Sequence, residues 1–271
     1  MSICDDYIPK AETQQSKFLK QYLKYNGRGL LIALIDHGVD ISLPGMLKTS
    51  TGFPKLLIVL ILLIPQHWKN PSGEWHLGIK SLLNICPKNK RLNSIENLKK
   101  KIAEEIAALK TQRKTVWKTD ENKKLAQIFS TEFLVDCIVW NDGEKWQACL
   151  DTSLSKNLDE IKILTNFRDE HEFSFIFEEL SYCITIEEDG NLVKIFVPTS
   201  DHGSCVANNA AAHFPGEPEK DGLAPGAHIV SMNVLDQYET DHRNSINDAV
   251  LKCIEIGMDI VNISMLVAPY W

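Results

Sequence analysis

A long hydrophobic run is missing from this chain of 271 residues. The longest one extends from Leu56 to Ile64 and is ended by Pro65. A membrane-spanning helix needs about 20 apolar residues, so this shorter run predicts a buried strand, and no membrane partner is expected. The first residues, MSICDDYIPKAETQQSKFLK, also lack the apolar stretch of a secretory signal. We therefore expect a cytoplasmic location.

An excess of basic residues is missing as well. The chain has 29 lysines and arginines against 36 aspartates and glutamates, which gives a net charge of −7. Because phosphate binding needs a basic surface, this balance argues against nucleic acid as a partner. With 44% hydrophobic and 24% charged residues, the composition is typical of a globular protein and not of a disordered one.

The chain also lacks paired cysteine motifs. The seven cysteines include no CxxC pair, so they form neither a zinc signature nor a regular disulfide framework. An odd number of cysteines without an export signal favours reduced thiols in the cytosol. Cys205 is either an inert, small core residue or a redox-sensitive thiol. We expect the first, since a buried free cysteine commonly behaves as a small hydrophobe.

Strands and helices alternate near both ends of the chain. The continuous apolar run Leu30–Ile35 predicts a strand that is buried on both faces. Near the other end, the patterns predict a helix from Gly203 to Ala212, a strand at His228–Val234, a helix at Asn244–Ile256 and a strand at Asp259–Ile263. This alternation is typical of right-handed crossovers within a parallel sheet.

The middle of the chain has a different character. Residues 93–110 place apolar side chains along one helical stripe with a charged opposite face, which predicts a surface helix. Two β-hairpins follow in the prediction: Phe133–Trp140 with Lys145–Leu150, and Tyr182–Ile186 with Leu192–Val197. Turn residues separate the two strands of each pair.

These patterns together predict an α/β fold. Its core is a parallel sheet flanked by helices, and an α+β insertion interrupts that core. The predicted division of the chain is a first core part at residues 1–60, an inserted region at 61–180 and a second core part at 181–271.

Asp36 ends the first predicted strand, in the segment IDHGVD at residues 35–40. In open parallel sheets, sites form outside the carboxyl ends of the strands. A carboxylate there can accept the Nδ1 proton of an imidazole and stabilise the imidazolium. The alternatives are a helix cap, a turn carboxylate or, more weakly, a metal site made of Asp36, His37 and Asp40, for which no further ligand cluster is visible.

His202 opens the predicted helix, in the segment SDHGSCVA at residues 200–207. A neutral imidazole is the usual general base near pH 7, whereas the simpler alternative is a solvated or capping histidine. The strand end and the helix start predict that Asp36 and His202 lie within hydrogen-bonding reach, or at most one water apart.

Three segments resemble motifs of the subtilisin-like serine peptidase family. LIALIDHGVD at 31–40 resembles the aspartate motif of that family, and SDHGSCVANNAAA at 200–212 resembles its histidine motif. GLAPGA at 222–227 resembles a third motif, and aspartate before histidine is the subtilisin order. The resemblance implies a subtilisin-like fold and a serine peptidase in which Asp36 and His202 are catalytic and no cofactor takes part.

The long interval between the aspartate motif and the histidine motif points to one branch of this family. His202 follows Asp36 by 202 − 36 = 166 residues. The sequences of residues 64–78, 135–144 and 212–219 resemble those of the family branch that removes tripeptides from free amino termini. That resemblance implies a large cytosolic exopeptidase, peptide substrates with free amino termini, and assembly into oligomers.

The chain also departs from the family pattern. His37 stands where serine or threonine is usual, Cys205 replaces a histidine, and Val267 replaces a glutamate that helps to hold the substrate's amino group. No Gly-Thr-Ser nucleophile motif occurs. We therefore expect that this chain is a part of a serine peptidase and that it is inactive by itself. The alternative is a non-catalytic decoy or regulatory subunit that joins full-length peptidase oligomers.

Overall fold

The computed structural model describes residues 8, 10, 12–61, 75–81, 134–151, 161–176, 180–235 and 243–264. The helix predicted at 93–110 lies outside these residues, and so do the last residues of the apolar run that begins at Leu56. Within the described part, no helix has the length and apolar character needed to cross a membrane.

The elements alternate much as the sequence predicts. In chain order they are α1 (Gln15–Gln21), β1 (Leu31–Asp36), β2 (Leu56–Ile61), β3 (Trp75–Ser81), β4 (Leu134–Asn141), β5 (Trp146–Leu150), α2 (Phe167–Glu170), β6 (Ser174–Ile176), β7 (Leu180–Glu187), β8 (Leu192–Phe196), α3 (His202–Ala211), β9 (His228–Asn233), α4 (Arg243–Ile256) and β10 (Ile260–Ile263). Short 3₁₀ turns occur at Pro44–Met46 and Glu188–Gly190.

Four of the strands form a parallel sheet in the order β10-β1-β9-β2. Strand β1 is central and pairs with β10 on one side and with β9 on the other. Its last residue, Asp36, lies opposite Asn233, the last residue of β9. The carboxyl ends of these strands therefore meet at one edge of the sheet, where a site is expected.

The two faces of this sheet are covered by different helices. Ile32 and Leu34 of β1 face a core that includes Ala207 and Ala211 of α3. The alternate residue Ile35 faces a second core with Ala249 and further residues of α4. Burial on both faces explains why β1 is a continuous apolar run without polar alternation.

Two three-stranded antiparallel sheets, β3-β4-β5 and β6-β7-β8, complete the described fold. They contain both predicted hairpins, as the pairings β4–β5 and β7–β8. The sequence did not predict β3 and β6. Glycine at 78 weakens the strand signal of β3, and β6 has only three residues and depends on pairing with β7.

Strand β7 joins the antiparallel part to the parallel part. Tyr182 and Ile184 are buried in a core shared with β4 and β5. Cys183 points to the other side, into the core that holds Ile32 and Leu34 of β1. The sheet β6-β7-β8 is therefore packed between the two others.

The predicted division of the chain into a first core part, an inserted region and a second core part, with boundaries at residues 60 and 180, stays a prediction.

Lys55, just before β2, is completely buried. Its ammonium group donates hydrogen bonds to the carbonyl oxygens of Pro225 at 2.6 Å and Ala227 at 3.0 Å. These residues belong to the third motif, which thereby packs against the start of β2. Burial lowers the pKa of Lys55 to about 8, and the negative charge of Asp221 opposes this effect.

The lowered pKa predicts a pH-dependent stability difference between the native chain and a Lys55→Met variant. Above about pH 8 the folded chain releases the Lys55 proton, whereas the unfolded chain keeps it up to its ordinary pKa of 10.5. Because the unfolded state then binds more protons, the free energy of unfolding of the native chain should rise relative to Lys55→Met from about pH 8 to pH 10. Urea unfolding at several pH values measures this difference.

Lys48→Met, at an exposed lysine, is the control and should show no such relative rise. If the difference in free energy of unfolding between the native chain and Lys55→Met stayed constant over this pH interval, the lowered pKa of the buried Lys55 would be contradicted.

Candidate active site

Asp36 places a carboxylate at the carboxyl end of the central strand. Only 2% of its side chain is exposed. The strand is fixed around it, because the amide of Val234 donates to the Asp36 carbonyl oxygen at 3.0 Å. A buried carboxylate needs hydrogen-bond donors, and the donors that reach it come from two histidines.

The segment before α3 brings one of these histidines to the strand end. The amide of Thr199 donates to the carbonyl oxygen of His37 at 2.9 Å. The Thr199 hydroxyl also donates to the carbonyl oxygen of Leu235, just after β9, at 3.0 Å. Thr199 thus ties together the chain segments that follow β1 and β9, and α3 begins three residues later at His202.

Close approach between α3 and β1 depends on Gly203. A Cβ atom added at this position would lie 2.3 Å from the carbonyl oxygen of Gly38 and 3.3 Å from Oδ1 of Asp36. A second contact holds the same turn, because the Asp40 amide donates to the Ser204 hydroxyl oxygen at 2.9 Å. The glycine after His202 is therefore required by space.

This arrangement places His202 against Asp36. The Nδ1 atom of His202 lies 2.9 Å from both carboxylate oxygens of Asp36. The rest of the ring is more open, since 47% of the His202 side chain is exposed. The structure thus brings together the two residues that the sequence singles out, at the predicted distance. Their catalytic role stays a prediction.

His37 shares the same carboxylate. Its amide donates to Oδ1 of Asp36 at 2.7 Å, and its ring atom Nδ1 lies 2.8 Å from that oxygen. The rings of His37 and His202 meet edge to face, with centroids 5.9 Å apart. The sequence assigned a role to His37 only as a ligand in the weaker metal alternative and did not predict its hydrogen bonds to Asp36.

The electrostatics of Asp36 reflect two opposing effects. Burial of the carboxyl group raises its pKa, but hydrogen bonds from the rings of His37 and His202 and from the His37 amide lower it. The net result is a pKa below the ordinary value. Asp36 is therefore an anion near neutral pH, the form that accepts an imidazole N–H and stabilises an imidazolium.

Asp40 does not join this group, which corrects the weaker metal alternative from the sequence. Its Oδ1 atom accepts hydrogen bonds from the Ser42 amide at 2.9 Å, the Ser42 hydroxyl at 2.6 Å and the Ser181 hydroxyl at 2.6 Å. The carboxylate thus holds the turn after β1 against β7. His202 occupies the place in the cluster that the sequence assigned to Asp40.

The expectation for Cys205 was wrong. Cys137, Cys149, Cys183 and Cys253 are not part of a disulfide, but Cys205 is disulfide-bonded. A disulfide is untypical of a cytosolic protein, so the cytoplasmic location stays a prediction. The sequence could not indicate this pairing, because the spacing of cysteines does not specify which of them meet.

A cavity of about 780 Å³ lies away from this cluster, between β2, α2, β8 and α4. Charges of both signs line it, and several are paired there: Lys194 with Glu187 at 2.8 Å and Lys252 with Glu255 at 2.7 Å. Neither Asp36 nor His202 contributes to its lining. The cavity therefore gives no support to the aspartate–histidine site.

Comparison with known protein families shows to which family the chain belongs. The model of the subtilase family, peptidase family S8, matches residues 27–266. The chain belongs to the subtilase family. Both Asp36 and His202 lie inside the matched part of this subtilase chain, at the positions of the two family motifs described above.

Several curated proteins resemble this subtilase chain. Tripeptidyl-peptidase 2 of Caenorhabditis elegans is 32% identical over 95% of this chain and 23% of its own length. The protein of the same name from Oryza sativa subsp. japonica is 31% identical over 97% and 24%, and that of Arabidopsis thaliana is 29% identical over 95% and 23%. The chain thus spans about a quarter of the length of these relatives.

A solved structure confirms the subtilisin-like fold. The crystal structure of tripeptidyl peptidase 2 (TPP II) superposes with a TM-score of 0.67 and 20% sequence identity, over 94% of this chain and 25% of that one. The predicted α/β class is therefore confirmed, and the match of the subtilase family model confirms the predicted family.

The close approach at Gly203 predicts the effect of a Gly203→Ala substitution. The added methyl group would meet a backbone oxygen that cannot swing away, so the first turn of α3 must move off the end of β1. We expect a loss of about 1–3 kcal/mol in the free energy of unfolding, as for other overpacked sites. Urea unfolding followed by circular dichroism measures it.

Asn209→Ala, at an exposed position of the same helix, is the matched control and should leave the unfolding midpoint unchanged or slightly higher. Equal midpoints for Gly203→Ala and the native chain would mean that α3 does not need this approach.

Proposed function

We propose that this subtilase chain supplies the aspartate and the histidine of a tripeptidyl-peptidase of the II type, which removes tripeptides from the free amino termini of peptides. The hydrogen bond between the Asp36 carboxylate and Nδ1 of His202 carries this proposal. The likeness to proteins named tripeptidyl-peptidase 2 over nearly the whole chain supports the substrate class.

The chemistry follows from the two ring nitrogens of His202. Asp36 accepts the proton on Nδ1 and so fixes the tautomer in which Nε2 has a free lone pair. Nε2 can then take the proton of an attacking serine hydroxyl and later give it to the leaving amine. The anionic Asp36 stabilises the imidazolium that forms between these steps.

We propose that the nucleophilic serine comes from polypeptide outside this sequence. No Gly-Thr-Ser segment occurs among the 271 residues. In subtilisin, a relative, loss of the serine alone lowers turnover by about 10⁶-fold. We therefore propose that the chain by itself does not hydrolyse peptides and that the pair acts only with a serine from further polypeptide.

A chimera tests this function. The matching segment of the C. elegans tripeptidyl-peptidase 2 is replaced by this chain, and release of a reporter from a tripeptide amide is measured. We expect activity in the chimera and background release from the isolated chain. By analogy with subtilisin, Asp36→Asn should lower turnover by about 10⁴-fold and His202→Ala by about 10⁶-fold.

His213→Ala is the control for histidine loss, because His213 pairs with Asp221 at 3.2 Å and lies outside the cluster. It should keep turnover far above that of the His202→Ala chimera, because His213 does not contact Asp36 or His202. An active chimera that tolerates His202→Ala, or an isolated chain whose turnover needs His202, would reject the proposal.

A second candidate function is a non-catalytic subunit that associates with a full-length peptidase or with its own copies. The observation that favours it is the edge of the parallel sheet. Among the described residues, β10 pairs with β1 on one side only, and its apolar residues Ile260, Val261 and Ile263 are exposed. Open apolar strand edges recruit further chains.

Helix α4 extends this surface. Its outward residues Val250, Leu251 and Ile254 are exposed, with 74% of Ile254 accessible. Apolar patches of this kind on a globular protein commonly mark an interface or an aggregation site. Together β10 and α4 form the surface on which further peptidase polypeptide is proposed to pack.

Size-exclusion chromatography tests this association. The isolated chain should elute larger than a monomer, and the pair of substitutions Val261→Lys and Ile254→Glu should shift it toward the monomer without lowering the thermal midpoint, because both side chains are exposed. Leu23→Glu, at an exposed leucine near α1, is the control and should leave the elution volume unchanged.

A native chain that elutes as a single monomer with one cooperative unfolding transition would contradict the association.

A further inference from the structure

The candidate active site holds one imidazole more than an aspartate–histidine pair needs. Both histidine rings direct Nδ1 at the buried carboxylate, at 2.8 Å for His37 and 2.9 Å for His202. One ligand atom from each of Asp36, His37 and His202 lies within 4.8 Å of the other two. Two imidazoles and one carboxylate around a common point are a donor set for transition metals.

We propose that Asp36, His37 and His202 form a binding site for a divalent transition metal of the zinc type. The site is distinct in composition from the one suggested by the sequence, because its third ligand comes from the start of α3, 166 residues away, and Asp40 is engaged elsewhere.

The distances fit with a small adjustment. Tetrahedral zinc has bonds of about 2.0–2.2 Å to nitrogen and oxygen, which separates neighbouring ligand atoms by about 3.3 Å. The present hydrogen-bond distances of 2.8 and 2.9 Å must therefore open by about half an ångström. Each neutral imidazole would move its proton from Nδ1 to Nε2, so that the Nδ1 lone pair becomes available without any net proton release.

The burial pattern also suits an accessible metal site. Asp36 is buried and held at the strand end, whereas 31% of the His37 side chain and 47% of the His202 side chain are exposed. A metal can therefore reach the ligands from solvent. Three protein ligands leave the fourth position to water, as in open zinc sites.

Metal binding would compete with the pairing of Asp36 and His202. The metal takes the lone pair of His202 Nδ1, and that atom can then no longer donate its proton to Asp36. A bound metal thus reversibly blocks the general-base arrangement. The binding itself does not rest on the proposed peptidase function, since it is measured without any turnover.

Cobalt(II) titration of the full chain tests the site, because cobalt(II) absorbs visible light much more strongly at a tetrahedral protein site than as the octahedral ion in water. We expect one cobalt per chain, displaced by zinc. His37→Ser, which introduces a residue type usual in the family, and His202→Ala should each weaken binding by at least about tenfold. His213→Ala is the control and should bind as the native chain does.

A measurement on the native chain covers the case in which a variant does not fold. Acylation of histidines by diethyl pyrocarbonate, followed by mass spectrometry, is compared with and without zinc. Zinc should protect His37 and His202, while the reactivity of His213 and His228 stays the same.

Three results would overturn the proposal: no cobalt binding by the folded chain, equal weakening in His213→Ala and His37→Ser, or equal zinc protection of all four histidines.

Discussion

The buried carboxylate of Asp36 is the constraint on which the described site depends. It lies at the end of a strand that is covered on both faces, where an unpaired anion would cost several kcal/mol. Three hydrogen-bond donors compensate it, two from His37 and one from His202. The turn after β1, the position of α3 and the glycine at 203 all serve to bring these donors to one oxygen pair.

The antiparallel part of the fold supports the same turn. The hydroxyl of Ser181, on β7, donates to the Asp40 carboxylate at 2.6 Å, four residues beyond Asp36. Strand β7 also contributes Cys183 to the core beneath β1. The segment that separates the two motifs in sequence is thus packed against the site in space, and substitutions in β7 should be read as changes to the support of the Asp36 turn.

The position of His37 makes this site different from a simple pair. Two imidazoles compete for one carboxylate, so the tautomer and orientation of each depend on the other. A hydroxyl residue at position 37 would remove that competition. The same geometry that stabilises the Asp36 anion gives the proposed metal site its three ligands. One of these ligands, His37, departs from the family pattern.

The parallel sheet and the contact between Asp36 and His202 could be predicted from the sequence. Continuous apolar runs predicted β1 and β2, the alternating pattern near the other end predicted α3, β9, α4 and β10, and the residues around Asp36 and His202 carried the family likeness. These signals are local, because burial on two faces leaves a run of apolar residues in one short segment. Strands β3 and β6 were missed, since their pairing partners and not their own residues define them.

The fold was needed to show which side chains share the carboxylate, where Asp40 points, that Cys205 is disulfide-bonded, and which side of β10 is left open among the described residues. Each of these depends on the direction of a side chain or on the contact of segments far apart in sequence. Such contacts are set by packing and by the need to satisfy buried polar groups, and no periodicity along the chain records them.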